Sequence, residues 1–222
     1  MVTPFDWQEG IGHRAQFVEE RLSRGAPVLA LSIPDGIVIF TMKRQASKCF
    51  EIYDRIAMAA IGQQSDVENL RVAALDFAHR EGYTRSEQDV TIQRVVTALS
   101  APIKKAFGDF STAPLVVRAL FAEVGPKPES DVFTVIDFDG DYGNSVGYAV
   151  LVGLAQQYQP AVEKVLSLDR KKLKPDTAVA ALRLAWHEIM NAVEGITIED
   201  DIEPEAIFLD RDATNETHYR VL

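Results

Sequence analysis

Two pairs of consecutive amphipathic helical segments, each flanked by apolar strand runs, constrain this chain more than any other feature. A helix pair whose members each carry one apolar stripe needs a wide, flat apolar partner, which a sheet supplies. The runs follow the order strands, two helices, strands, two helices, strands. That order predicts an α+β protein in which sheets pack on each other and helices cover both outer faces.

The segments carry their own signals. Apolar runs over 28–32 and 36–42 are joined by Ile33-Pro34-Asp35-Gly36, a turn sequence, and predict a hairpin. Neither run alternates, so both faces of these strands should be buried. A second strand pair is expected over 48–53 and 55–61 with Asp54 at its turn. Ser65-Asp-Val-Glu68 reads as a capping box opening a helix that ends near Gly82. Ser86 is expected to open the next helix, which Pro102 should bend or shorten. Strands follow over 115–124, 131–138 and 146–152, then helices over 154–166 and from an N-cap at Asp176 through Val193 to Gly195. Acidic Glu199-Asp200-Asp201 precedes the last strands, at 206–209 and 219–221. At the front, Ala15, Val18 and Leu22 mark a helix over 12–24, and the residues before it show no periodicity.

The 222 residues fit a single domain spanning 1–222. Net charge is -10, from 33 acidic and 23 basic side chains, which argues against nucleic acid or an anionic membrane as partner. The dense basic run Arg170-Lys171-Lys172-Leu173-Lys174 reads as a solvated loop. No apolar run reaches the roughly 20 residues of a membrane span, and residues 1–7 do not resemble a signal peptide. With one cysteine, Cys49, no intrachain disulfide is possible. A cytoplasmic protein is expected.

Several motifs invite chemistry and fail on spacing. Gly143-Asn-Ser145-Val-Gly147 matches a nucleophile elbow, which requires a strand running into a helix. Here an apolar strand run follows, so a glycine-rich hairpin turn is expected. Asp137, Asp139 and Asp141 alternate as in a calcium loop, yet Tyr142 and Tyr148 stand where glycine and glutamate are needed. His13, His79, His187 and His218 are scattered without metal-ligand spacing. No metal and no cofactor is expected. Lys48, directly before apolar Cys49-Phe50, is either a lysine snorkelling from a strand end or a functional cation, and the pattern alone leaves both open.

From about Arg14 to Gly153 the chain resembles alpha-type subunits of the 20S proteasome, most closely those of actinobacterial type. The residues that carry this are Arg24-Gly25, Val28-Leu-Ala-Leu31, Asp35-Gly36-Ile-Val38, Glu51-Ile-Tyr-Asp-Arg-Ile56 and Ala59-Ala-Ile-Gly62. Asp66-Val-Glu-Asn-Leu70, Phe77-Ala78, Leu120-Phe-Ala-Glu-Val124, Asp137-x-Asp-Gly140 and Gly147-Tyr-Ala-Val150 continue it in the same order.

The resemblance implies the four-layer αββα sandwich of N-terminal-nucleophile hydrolases. It implies a noncatalytic subunit that forms an outer heptameric ring, caps a ring of catalytic beta-type subunits and gates unfolded substrates. Residues 1–10 would be the gate segment and 12–24 the helix lying across the ring face. Ala26 and Pro27 stand where a catalytic subunit exposes its threonine, so no catalytic residue is expected. Met42 falls where a catalytic subunit usually carries an acid. Lys48 matches the lysine that pairs with the C-terminal carboxylate of an ATPase activator tail, and the turn at Gly62 lines the same pocket. Catalytic subunits also keep a lysine there, so Lys48 does not separate the types. Phe5-Asp6-Trp7 and Gln16-Phe-Val-Glu19 depart from the Tyr-Asp-Arg gate cluster and Gln-Val-Glu-Tyr-Ala stretch of archaeal and eukaryotic members. The rivals are a catalytic threonine-type peptidase of the same fold and a diverged ring protein without a protease partner.

Overall fold

The computed structural model describes residues 4–192, 201–213 and 217–222, with side chains from Asp6 onward. In chain order the elements are α1 (Pro4–Leu22), β1 (Val28–Ile33), β2 (Gly36–Lys43), β3 (Cys49–Tyr53), β4 (Ile56–Gly62), α2 (Gln64–Thr84) and α3 (Ile92–Gly108). They continue with β5 (Val117–Glu123), β6 (Val132–Ile136), β7 (Tyr142–Ser145), β8 (Tyr148–Leu151), α4 (Ala155–Leu166), α5 (Pro175–Asn191), β9 (Glu203–Asp210) and β10 (Tyr219–Val221).

The strands form two five-stranded sheets, ordered β10-β9-β2-β1-β8 and β3-β4-β5-β6-β7, with every pairing antiparallel. Strand periodicity divides the apolar residues between layers. Val28 and Ala30 of β1 and Ile37 and Ile39 of β2 face Ala57, Ala59, Leu120 and Phe133 between the sheets. Their neighbours Leu29, Leu31, Val38 and Phe40 face α4 and α5 through Val165, Leu182, Trp186 and Ile189. On the other sheet Met58, Ala60 and Phe121 meet Leu70 and Ala74 of α2 and Val95, Val96 and Leu99 of α3. The result is the αββα sandwich expected, and the central strands lack alternation because both of their faces are covered.

Six local expectations change. α1 begins at Pro4, not at residue 12, and runs through Gly10 and Gly12. Tertiary contact carries it there: a Cβ on Gly10 would lie 2.7 Å from the Phe110 ring, and Arg14 donates to Thr112 O at 2.8 Å and Ala106 O at 3.2 Å. Residues 4–10, expected as an aperiodic lead, are therefore helical. Ser65 does not cap α2; Gln63 is the N-cap, Glu68 is engaged by Arg71, and Asp66 accepts the amide of Val116 at 2.8 Å. Ser86 precedes a short 3-10 turn at Glu87–Asp89, and α3 starts at Ile92, whose amide goes to Glu123 Oε2 at 2.8 Å. Of the bend or early end expected at Pro102, the early end does not occur: α3 runs on to Gly108, with its apolar stripe buried on both sides of the proline at Leu99, Ile103 and Phe107.

The other two concern loops. Gly143–Gly147 is not a hairpin turn: β7 pairs with β6 in one sheet and β8 with β1 in the other, so the segment crosses between layers. Ser145 donates to Tyr148 O at 2.8 Å within that crossing. α5 starts at Pro175 rather than after Asp176, because Thr177 Oγ1 accepts the Lys174 amide at 2.8 Å. The expected helix end at Val193–Gly195 and the acids Glu199 and Asp200 lie outside the described residues. Asp137–Asp141 is the strand-ending turn anticipated, with Gly140 N donating to Asp137 O at 3.0 Å. No helix among the described residues is long and apolar enough to cross a membrane.

Candidate functional site

α1 delivers the chain to the head of β1 through the short link 23–27. Val18 and Leu22 are fully buried between the sheets, which anchors the end of this helix in the core. Arg118 of β5 fastens it further, bonding Glu19 at 2.9 Å, Asp137 at 3.0 Å and Val152 O at 2.9 Å. The carbonyl of Pro27 is then gripped twice, by Trp186 Nε1 at 2.9 Å and Thr41 Oγ1 at 2.8 Å. These bonds tie the junction to α5 and β2.

A cavity of about 570 Å³ opens at this junction. Ala26 of the link and Met42 of β2 line it from one side, and Lys48 just before β3 with Ala60, Ile61 and Gly62 of β4 from the other. Trp186, Met190, Gln157 and Ile202 give it an inner wall that is apolar apart from the Gln157 amide. Arg21, Arg24 and Arg44 surround it with positive charge. Arg21 lies over the Phe17 ring and Arg44 pairs with Asp201 at 3.9 Å.

Lys48 and Gly62, the two residues singled out from the sequence, line this same cavity. Gly62 ends β4 at φ +139, a conformation that favours glycine, and a Cβ there would lie 2.1 Å from Val116 O. Strand β5 can approach closely because that Cβ is missing. The Lys48 Nζ makes one hydrogen bond among the described residues, to Ala26 O at 3.4 Å. Burial lowers its pKa to about 8; Arg44 acts in the same direction, while Cys49 and Glu205 oppose it.

Glu205 was not found from sequence. It is buried on β9, and its Oε2 accepts the backbone amide of Lys48 at 2.8 Å. Its carboxylate thus holds the main chain of residue 48 rather than the Lys48 amine. No short-range pattern links residues 157 positions apart. Cys49 is buried and its thiol is pushed well up, chiefly by that burial, so it is core rather than nucleophile. Ser23, also on the rim, donates its hydroxyl to Glu20 O at 2.7 Å. Among the described residues no group of His, Cys, Asp and Glu could hold a metal.

The arrangement suits a ligand with an anionic end and an apolar body: cations at the mouth, one half-buried amine, and an apolar inner wall. A four-layer αββα sandwich with a cavity at the head of its first strand defines the class of N-terminal-nucleophile hydrolase folds. The chain belongs to the proteasome subunit family, whose model, described as "Proteasome subunit", matches residues 22–199. It is 33% identical over 161 residues to a protein of Acidothermus cellulolyticus named "Proteasome subunit alpha", covering 71% of this chain and 69% of that one. A Streptomyces avermitilis protein of the same name is 31% identical over 216 residues, 95% of this chain and 83% of the relative. One from Xylanimonas cellulosilytica is 36% identical over 146 residues, 65% of this chain and 59% of the relative.

Proposed function

We propose that this chain is a noncatalytic alpha-type subunit of a 20S proteasome core particle, a reading supported by relatives named "Proteasome subunit alpha". The observation that carries this reading is Ala26. Where catalytic members of the family present a nucleophile, Ala26 lines the cavity, and α1 leads to it through the link 23–27, tied into the core by Leu22 and Arg118. The Lys48 amine does not hydrogen-bond to a hydroxyl among the described residues. The subunit would form a homo-heptameric ring, cap beta-type catalytic subunits in the cytoplasm and restrict entry of unfolded substrates through residues 1–10.

The cavity at Lys48 and Gly62 would receive the C-terminal carboxylate of an ATPase activator tail. A hydrogen bond to a charged group contributes about 1.5–3 kcal/mol, and several tails per ring multiply that into avidity. The decisive experiment is native mass spectrometry and peptidase assay of the purified chain, alone and with its beta-type partner. Rings without peptidase activity alone, and activity with the partner, are expected. Turnover by the chain alone, or a threonine-directed covalent inhibitor mapped onto it, would sink the noncatalytic reading. Rings that capture no beta-type subunit would instead identify a ring protein without a protease.

A further inference from the structure

We infer that Lys48 is an acylation site, whose ε-amine takes the acyl group of small acyl phosphates held in the cavity by Arg21 and Arg24. Three features of the geometry converge on this. The amine lies in a cavity of about 570 Å³, which admits a small molecule. Among the described residues its Nζ meets no carboxylate and is held by one long bond to Ala26 O at 3.4 Å, so the nitrogen can turn toward a reactant. The charges that act on the amine are Arg44 from the β2–β3 loop, itself paired with Asp201, and Glu205 from β9, while Arg21 from α1 and Arg24 from the α1–β1 link line the same cavity. The guanidinium groups that Arg21 and Arg24 bring to the lining favour a phosphate dianion over a neutral acyl donor.

In the reaction the neutral amine attacks the acyl carbon, and the bond between that carbon and the phosphate oxygen breaks. Inorganic phosphate leaves with the electron pair, an amide forms at Nζ, and the ammonium proton passes to water. No oxidant or reductant is required. Burial assists, because at a pKa of about 8 roughly a tenth to a fifth of the amine is neutral near physiological pH. An exposed lysine near 10.4 has roughly a hundredfold smaller neutral fraction. Lower basicity costs about tenfold in nucleophilicity by analogy with thiols, leaving roughly a tenfold net advantage. The amide is uncharged, so acylation would remove the cation on which tail docking depends, a consequence that rests on the function proposed above.

The test is to expose the intact protein to acetyl phosphate and map acetylation by mass spectrometry at Lys48 and at solvent-exposed Lys171. Roughly tenfold faster acetylation at Lys48 is expected, with a rate that levels off above pH 8 and a preference that disappears in denaturant. Equal rates at the two lysines, or a preference that survives unfolding, would overturn the assignment. Arg24→Ala should slow acetylation of Lys48 by acetyl phosphate without slowing its reaction with a neutral N-hydroxysuccinimide ester; equal slowing of both would overturn the phosphate preference. A synthetic peptide with a free C-terminal carboxylate separates this from the docking proposal. Selective acetylation with unchanged peptide binding would remove docking and leave the modification site, whereas peptide binding without selective acetylation would do the reverse.

Discussion

Asp131 and Arg211 meet side-on, Oδ1 to Nη1 at 2.7 Å and Oδ2 to Nη2 at 2.9 Å, with both side chains buried. Ser32 Oγ donates to the same carboxylate at 2.6 Å, the Gly125 amide donates to it at 2.9 Å, and Arg211 also donates to Ile33 O at 3.1 Å. The pair therefore pins the end of β1 to the loop after β5, joining the two sheets at the end of β1 opposite the cavity. Every polar atom has a partner, which is the condition under which a buried ion pair is tolerated.

Removing one partner leaves a buried charge. Arg211→Ala should lose about 3–5 kcal/mol of stability, measured by urea unfolding. Arg211→Met with Asp131→Leu should recover much of that loss. A loss under about 1 kcal/mol for Arg211→Ala would show that water reaches the carboxylate.

Gly62 makes a second structural prediction. With φ at +139 and Val116 O only 2.1 Å from a hypothetical Cβ, Gly62→Ala forces β4 and β5 apart. A cost of about 1–3 kcal/mol is expected from the strain alone, together with a reshaped cavity and weaker peptide binding. Unchanged thermal unfolding would mean that the strand ends yield freely.

Much of the layering was legible because it depends on local pattern. Unbroken apolar runs in β1 and β2 announced strands covered on both sides, and both outer helix pairs were placed by stripes such as Val95, Val96 and Leu99. Helix starts were not, because distant contacts compete for the groups involved: Glu123 takes the Ile92 amide at the start of α3, Asp66 of α2 is drawn to the Val116 amide, and the serines that look like caps bond Gln63 and Asp89 instead. The Gly143–Gly147 crossing misread as a hairpin for a related reason. A turn sequence fixes local backbone shape but not which sheet the next strand joins. At the site, Lys48, Gly62 and Ala26 could be named in advance, whereas Glu205, Trp186 and the arginine rim depend on folding that unites both sheets and α5.

Lys48→Ala tests the docking role directly. It should leave ring assembly intact and weaken binding of a carboxylate-terminated activator peptide by roughly 10–100-fold, corresponding to about 1.5–3 kcal/mol. Fluorescence anisotropy of the labelled peptide reads this. The same peptide with an amidated C-terminus should bind the wild type and the variant equally. A variant that binds the carboxylate peptide as well as the wild type does would remove Lys48 from the interaction.

The lowered pKa of Lys48 gives docking a pH dependence of defined sign. The folded amine titrates at about 8, below its value of 10.5 when unperturbed, so between these limits it is neutral in the fold and charged in the unfolded chain. Burying the charge therefore costs stability below pH 8, and this cost is relieved as pH rises toward 10.5, so Lys48 makes the chain more stable there. Docking runs the other way, because a carboxylate needs the ammonium. Peptide affinity should hold up to about pH 8 and decline above it, with the bound carboxylate moving the midpoint upward through its opposite charge. Calorimetry in buffers of different ionisation enthalpy should then show proton uptake on binding near pH 8. Lys48→Ala should abolish that uptake, and an equal uptake in the variant would place the titrating group elsewhere.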